Sequence, residues 1–322
     1  MVATIDSTID STLDSKMNWK GRVPGKTFLF GEYAVLKGGP AVVLATAPEF
    51  LLSFSEDDQQ MNSNQAQLET SRMVFHPNSP TGRLLARYPS AASKGQFAFT
   101  NPYAAGGFGA SSAEFVLALR FLQSAGRAAK FSDKNQIQEL LELYFSLEDS
   151  NKRSSGSDLI LQWTGCSVFL ERRQNSIEKL NWPFPDVSFS IFSTGIKVQT
   201  HEHLEAFNES SLEELVQQSE ALRDAFLDKD FFHFQSHWIQ WREILQRKGL
   251  ALEKNSRTIQ ALEEIPQVLA RGCGAMGADV ILALHPAEIA QQVRQKGEAL
   301  GLRFQCGRSD LKESQEPVVD GN

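Results

Sequence analysis

The chain has 322 residues, 41% of them hydrophobic and 22% charged, with 22 glycines and 12 prolines. That length points to about two domains, and the composition is that of a globular protein, which excludes a disordered, collagen-like or coiled-coil chain. With 32 basic against 39 acidic residues the formal charge is −7, which argues against a broad electropositive nucleic-acid or membrane surface. An anionic ligand must then be held locally, by a few cations, backbone N–H groups or a metal.

Residues 1–16 (MVATIDSTIDSTLDSK) have neither a basic start nor an apolar run, so they read as a polar leader and not as a secretory signal. Thr27–Leu36 and Ala41–Ala47 read as strands joined by a KGGP turn, Glu49–Ser55 as a third strand, and residues 56–71 as a polar loop or exposed hairpin. Ser111–Ser124 has helical spacing and runs out near Gly126, and Asn135–Leu147 is a second amphipathic helix. Asp158–Leu170 and Val187–Phe192 are strand-like, with a candidate domain boundary between them at Asn181–Asp186 (NWPFPD).

From Ser210 the pattern is helical: a capping box Ser211…Glu214 opens a segment through Phe226, followed by Asp230–Arg247 and Ser256–Ala270. Asp279–Leu284 then reads as a strand, Pro286–Leu300 as a helix stopped by Gly301, Leu302–Cys306 as a strand, and the residues from Arg308 as a polar tail. Strands and helices mix without strict βαβ alternation, so the fold class is α+β. No 18-residue apolar window exists to span a membrane. Cys166, Cys273 and Cys306 are odd in number and form no C-x-x-C, which fits reduced, mostly buried thiols of a cytoplasmic protein.

Three glycine-rich segments carry the chemistry. Gly21-Arg-Val-Pro-Gly-Lys-Thr27 fails as a Walker A loop, because Lys20 stands where its first glycine belongs and a strand follows instead of a helix. Lys26 remains usable as a ligand for phosphate or carboxylate. Residues 101–113 (NPYAAGGFGASSA) lead straight into a helix; small residues admit an anion, and free N–H groups at the helix start carry partial positive charge. The plain alternative is a flexible connection with Ser111 and Ser112 as caps. Gly272-Cys-Gly-Ala-Met-Gly277 is a literal G-x-G-x-x-G, but it follows a predicted helix and precedes a strand, the reverse of the dinucleotide fingerprint. It is a tight loop facing a ligand, or only a turn.

Other clusters have ordinary readings. His233 and His237 lie four apart on a predicted helix and His201 and His203 flank Glu202, yet no H-E-x-x-H or cysteine pair supports zinc. The aromatics Phe226, Phe231, Phe232, Phe234, Trp238 and Trp241 fit core packing better than a ligand pocket. Arg153 and Lys197 are surface charges by default.

Taken together, Pro24–Val43 (PGKTFLFGEYAVLKGGPAVV), Gly106–Phe115 (GGFGASSAEF) and Gly272–Leu284 (GCGAMGADVILAL) resemble the three motifs of the GHMP kinases, the superfamily of galactokinase, homoserine kinase, mevalonate kinase and phosphomevalonate kinase. The P-G-K start with G-E-Y-A-V-L is similar to the mevalonate-pathway branch. Ser154-Ser-Gly-Ser-Asp158 resembles that branch's S-G-x-D element, and Thr194–Thr200 its T-G-x-x-x-x-T. Motif three departs from the usual glycine run at Met276 and Ala278, and Tyr33 stands where mevalonate kinases usually have His, as in phosphomevalonate kinases.

The resemblance implies a two-domain architecture: a leader at 1–16, an N-terminal domain of the ribosomal-protein-S5-domain-2 type at 17–185, a ferredoxin-like C-terminal α/β sandwich at 186–308 and a tail at 309–322. It implies an ATP- and Mg²⁺-dependent cytoplasmic kinase acting on mevalonate or phosphomevalonate, a monomer or homodimer engaging neither nucleic acid nor membrane. Gly106, Gly107, Gly109, Ala110, Ser111 and Ser112 would wrap the nucleotide phosphates. Ser112 and Glu148, with Asp149 as competitor, would hold the metal. Asp158 would orient or deprotonate the acceptor, Lys26 would steady the transferring phosphoryl, and Glu32, Tyr33, Thr194, Gly195, Lys197, Gly274 and Gly277 would face the substrate. Diphosphomevalonate decarboxylases, which share the scaffold, other kinases of this superfamily and a non-catalytic nucleotide-binding protein are the alternatives.

Overall fold

The computed structural model describes residues 18–56, 74–92, 95–103, 106–148, 154–174, 176–195, 212–274 and 280–314. Strands β1 (Asn18–Phe30) and β2 (Pro40–Glu56) form the long antiparallel hairpin that organises the first half. Their adjoining stretches Thr27–Phe30 and Ala41–Ala45 are continuously buried, as expected of strands covered on both faces. β2 also pairs with β3 (Gly95–Thr100) at one end and β4 (Val168–Glu171) at the other, and β4 with β5 (Ser176–Lys179), giving a five-stranded antiparallel sheet.

Two boundaries differ from the sequence reading. The strand predicted through Leu36 ends at Phe30, because Gly31 at φ 93° turns the chain; a Cβ there would lie 2.4 Å from the Pro40 carbonyl. The two strands predicted at 41–47 and 49–55 are one. Pro48 lies at the register shift opposite Val23–Gly25, where no ladder N–H is required of it.

Helices α1 (Pro80–Ala86), α2 (Pro89–Ala92), α3 (Ala110–Ser124), α4 (Gln136–Phe145) and α5 (Ser157–Thr164) complete this half. α3 packs on the sheet through Phe121, whose ring lies 4.6 Å from Phe54 and 5.0 Å from Phe97. The strand-like reading of Asp158–Leu170 is corrected: residues 157–164 are helical, bounded by left-handed Gly156 and Gly165, and β4 begins only at Val168.

The second sheet is antiparallel in the order β7-β8-β6-β9, from β6 (Val187–Ser193), β7 (Leu269–Cys273), β8 (Val280–Pro286) and β9 (Arg303–Gly307). Its helices are α6 (Glu213–Leu227), α7 (Phe231–Arg247), α8 (Ser256–Glu263) and α9 (Ala290–Ala299). Asp230 caps α7, its carboxylate accepting the His233 N–H at 3.0 Å. Ser211, the predicted cap of α6, lies outside the described residues. The helix predicted over 256–270 stops at Glu263, ahead of Pro266, and residues 269–273 are strand β7. Gly272-Cys273 therefore closes a strand, and the third glycine segment leads from β7 to its antiparallel partner β8.

Helices α8 and α9 cover the second sheet around Phe192, Ile259, Leu262 and Val293. Helices α6 and α7 instead reach the end of β1: Phe30 lies 6.1 Å from Phe226 and 6.0 Å from Phe234, and Trp238 Nε1 donates to the Leu29 carbonyl at 2.9 Å. One apolar core thus runs through both sheets. Phe226, Phe234, Trp238 and Trp241 are buried in it, while Phe232 is 69% exposed. All three cysteines are buried and none forms a disulfide with another, and burial pushes the Cys273 and Cys306 thiols up to about 12. Among the described residues no helix is long and apolar enough to cross a membrane.

Candidate active site

Strand β1 carries Lys26 inward, where Nζ lies 3.0 Å from Asp158 Oδ2 and 5.1 Å from the Phe28 ring. Asp158 stands in the first turn of α5, where the free N–H groups favour a carboxylate. The Lys26 N–H donates to the Phe108 carbonyl at 3.1 Å, fastening β1 to the glycine loop. Gly25 is required by packing: a Cβ there would lie 2.1 Å from the Tyr103 hydroxyl. That hydroxyl donates to the Pro48 carbonyl at 2.6 Å, and the Tyr103 ring stacks on Phe108 at 4.0 Å. Burial raises the Tyr103 pKa and keeps the phenol protonated.

Gly107 (φ 90°) and Gly109 (φ 85°) take left-handed backbone conformations immediately before α3, and no side chain caps that helix. Its first N–H groups are therefore left to a ligand or water. Ser112 is turned inward, its hydroxyl donating to the Gly109 carbonyl at 2.9 Å. Ser111 is exposed and reaches the Tyr144 hydroxyl, which also meets Glu148 and lies in the field of Asp158. Glu148 accepts the Ser154 N–H at 3.2 Å. Tyr144, Glu148 and Ser111 thus form a polar cluster in the field of the Lys26–Asp158 pair, beside the glycine loop. Pair and cluster together combine a cation with hard oxygen donors, the donor set that suits Mg²⁺ beside phosphate.

No protein family profile matches the sequence, and no curated protein does. Solved structures do match. Methanococcus jannaschii mevalonate kinase aligns at TM-score 0.67 and 16% identity, covering 94% of this chain and all of that one. Streptococcus pneumoniae phosphomevalonate kinase, solved with phosphomevalonate and AMPPNP, aligns at 0.66 and 15%, covering 90% and 99%. Lactococcus lactis galactokinase complexed with galactose aligns at 0.67 and 12%, covering 93% and 94%. The chain has the two-domain GHMP kinase fold.

Within the GHMP fold the remaining predicted residues divide. Glu32 is buried, and its carboxylate is paired with Arg271 of β7. Tyr33 is the centre of a γ-turn closed by Ala34 N–H to Glu32 O (2.9 Å), with φ 67° and ψ −46°. Such a backbone costs about 1–3 kcal/mol and persists where its surroundings impose it. Thr194 and Gly195 follow β6, and Gly274 (φ 88°) leaves β7. Lys197, Gly277 and Asp149 lie outside the described residues, as do Arg153, Thr200, His201, His203, Met276 and Ala278. His233 bonds Asp230 through Nδ1, and His237 bonds Gln218.

Sequence reasoning missed two residues of this region. Arg271 is a cation inside the buried strand LARGC, a pattern that signals a buried acidic partner. Gln162 lies four residues after Asp158, a relationship visible only once that segment is seen to be helical.

Proposed function

We propose that this GHMP-fold chain is an ATP-dependent small-molecule kinase of the mevalonate pathway, transferring the γ-phosphoryl of Mg·ATP to mevalonate or phosphomevalonate. The observation that carries the reading is the Lys26–Asp158 pair, 3.0 Å apart, set beside the left-handed glycines that open α3. The pneumococcal neighbour, solved with phosphomevalonate and AMPPNP, supports this choice of acceptor and nucleotide.

The glycine loop and the first N–H groups of α3 receive the phosphates. Asp158 accepts the proton of the acceptor oxygen as that oxygen bonds to the γ-phosphorus and the bond to ADP breaks. Lys26 holds Asp158 in place and offsets charge on the transferring group. Glu148 would hold Mg²⁺ together with Ser112 or Ser111, of which Ser111 is the hydroxyl on the carboxylate side. When bound, the ion neutralises phosphate charge. The N-terminal half (17–185) then supplies nucleotide and phosphoryl chemistry, and the C-terminal half (186–308) closes the acceptor side through Arg271 and Gly274.

The test is ADP release by purified protein offered Mg·ATP with mevalonate, phosphomevalonate, homoserine or galactose. Turnover with one of the first two and without CO₂ is expected. CO₂ appearing with ADP when diphosphomevalonate is offered would identify a decarboxylase. Mg·ATP binding by calorimetry without turnover of any acceptor would identify a non-catalytic nucleotide-binding protein, and absence of binding at millimolar nucleotide would remove the kinase reading.

A further inference from the structure

We propose that Gln162 is a positioning residue that holds the glycine loop in register with the Lys26–Asp158 pair, a role that rests on the phosphotransfer reading above. Gln162 stands one turn after Asp158 on α5, so both side chains leave the same face of the helix. Its side chain is fully buried, and Nε2 donates to the Gly109 carbonyl at 2.9 Å and the Pro24 carbonyl at 3.3 Å. Those carbonyls belong to the two segments that must meet for phosphoryl transfer: Pro24 precedes Gly25-Lys26, and Gly109 opens α3.

The meeting is close. A Cβ on Gly109 would lie 3.0 Å from Gln162 Nε2 and equally 3.0 Å from Lys26 Cγ. One face of α5 therefore sets two relations together: Asp158 against the Lys26 ammonium, and Gln162 against the backbone carrying that lysine and the loop. Gln162 Oε1 has no partner among the described residues. An apolar side chain of the same size would avoid that unsatisfied oxygen, so packing alone does not account for an amide here; its two donated hydrogen bonds do. Because phosphoryl transfer depends on placement, a displaced loop lowers the rate even when every reacting group remains.

The experiment compares wild type with Gln162→Met, which matches the length of the side chain but donates nothing. With Mg·ATP and the acceptor that wild type phosphorylates, kcat is expected to fall ~10-fold or more while acceptor KM stays within about twofold. The Gln162→Glu variant donates one O–H when protonated, so its kcat should recover toward wild type as pH is lowered from 8 to 6, unlike that of the Met variant. Wild-type kcat in folded Gln162→Met would overturn the role. If that variant does not fold, a pH-independent deficit in Gln162→Glu would overturn it. Failure of wild type to bind Mg·ATP would remove the functional reading and this role with it, whereas normal kinetics in both variants would remove the role alone.

Discussion

Arg271 on β7 grips both carboxylate oxygens of Glu32 at the end of β1, with Nη2 3.0 Å from Oε2 and Nη1 bonded to Oε1. The same guanidinium donates to the carbonyls of Phe28 and Leu29 and lies 5.5 Å from the Trp238 ring. It is 1% exposed, so its charge depends on these partners. The contact joins the two sheets and anchors the residue that precedes the strained Tyr33. Removing one partner strands a buried charge: Arg271→Met or Glu32→Gln should each cost about 3–5 kcal/mol in urea unfolding. The double variant should recover part of that loss. Single-variant losses below about 1 kcal/mol, the range of exposed pairs, would mean that the two sheets do not depend on this contact.

The Lys26–Asp158 pair should matter less for stability. The Asp158 side chain is 30% exposed and that of Lys26 11%, so the pair stands between an exposed ion pair, worth about 0–1 kcal/mol, and the buried Arg271–Glu32 pair. Lys26→Met and Asp158→Asn should therefore cost less than the Arg271 and Glu32 variants and stay folded at assay temperature. Under the proposed chemistry, losing the carboxylate that takes the proton should lower kcat by about 10²–10⁴. Losing the ammonium should lower it by about 10²–10³. ADP release by variants whose circular dichroism matches that of wild type at the assay temperature separates chemistry from folding, and near-normal turnover in Asp158→Asn would remove it from the mechanism.

Local signals in the sequence account for part of this site. Gly107 and Gly109 before an apolar 3.6-residue pattern announced α3, and Asp230 announced the start of α7. Residues 157–164 read as strand in the sequence because the run DLILQWT is short and apolar, and periodicity alone does not separate a buried strand from a buried helix at that length. Leu269 and Ala270, the first residues of β7, read as the end of the preceding helix because they continue its apolar spacing past Pro266. Contacts across long separations leave no local trace. The Gln162–Pro24 bond spans 138 positions and the Arg271–Glu32 pair 239, so neither partner could be named before the topology was known.

His285 on β8 should make stability depend on pH. Its Nε2 lies 2.9 Å from the Ser190 hydroxyl and its Nδ1 2.8 Å from the Pro286 carbonyl, an arrangement assigned to a neutral ring that donates from Nδ1. Burial holds its pKa below the ordinary histidine value. The unfolded chain then takes up a proton at about 6.5 before the native protein does, so stability is fully present above that pH and falls as pH drops below it. Replacing the ring by His285→Gln should flatten the dependence of Tm on pH below 6.5, and an unchanged slope would exclude His285 as its source.

Glu114 on α3 should produce the reverse dependence. Burial alone raises its carboxyl to about 7 from an ordinary value of 4.5. Between those values the unfolded chain has released a proton that the native protein keeps. Stability is therefore highest below 4.5, declines as pH rises toward 7 and stays lower above it. The amide introduced by Glu114→Gln imitates the protonated carboxyl at every pH. That variant should match wild type near pH 4.5 and be more stable at pH 8 by about 1 kcal/mol, a figure discounted because solvent screens a partly exposed group. Denaturant unfolding at both pH values measures the difference. An equal effect at the two would mean that the substitution acts through packing on α3 and not through the charge.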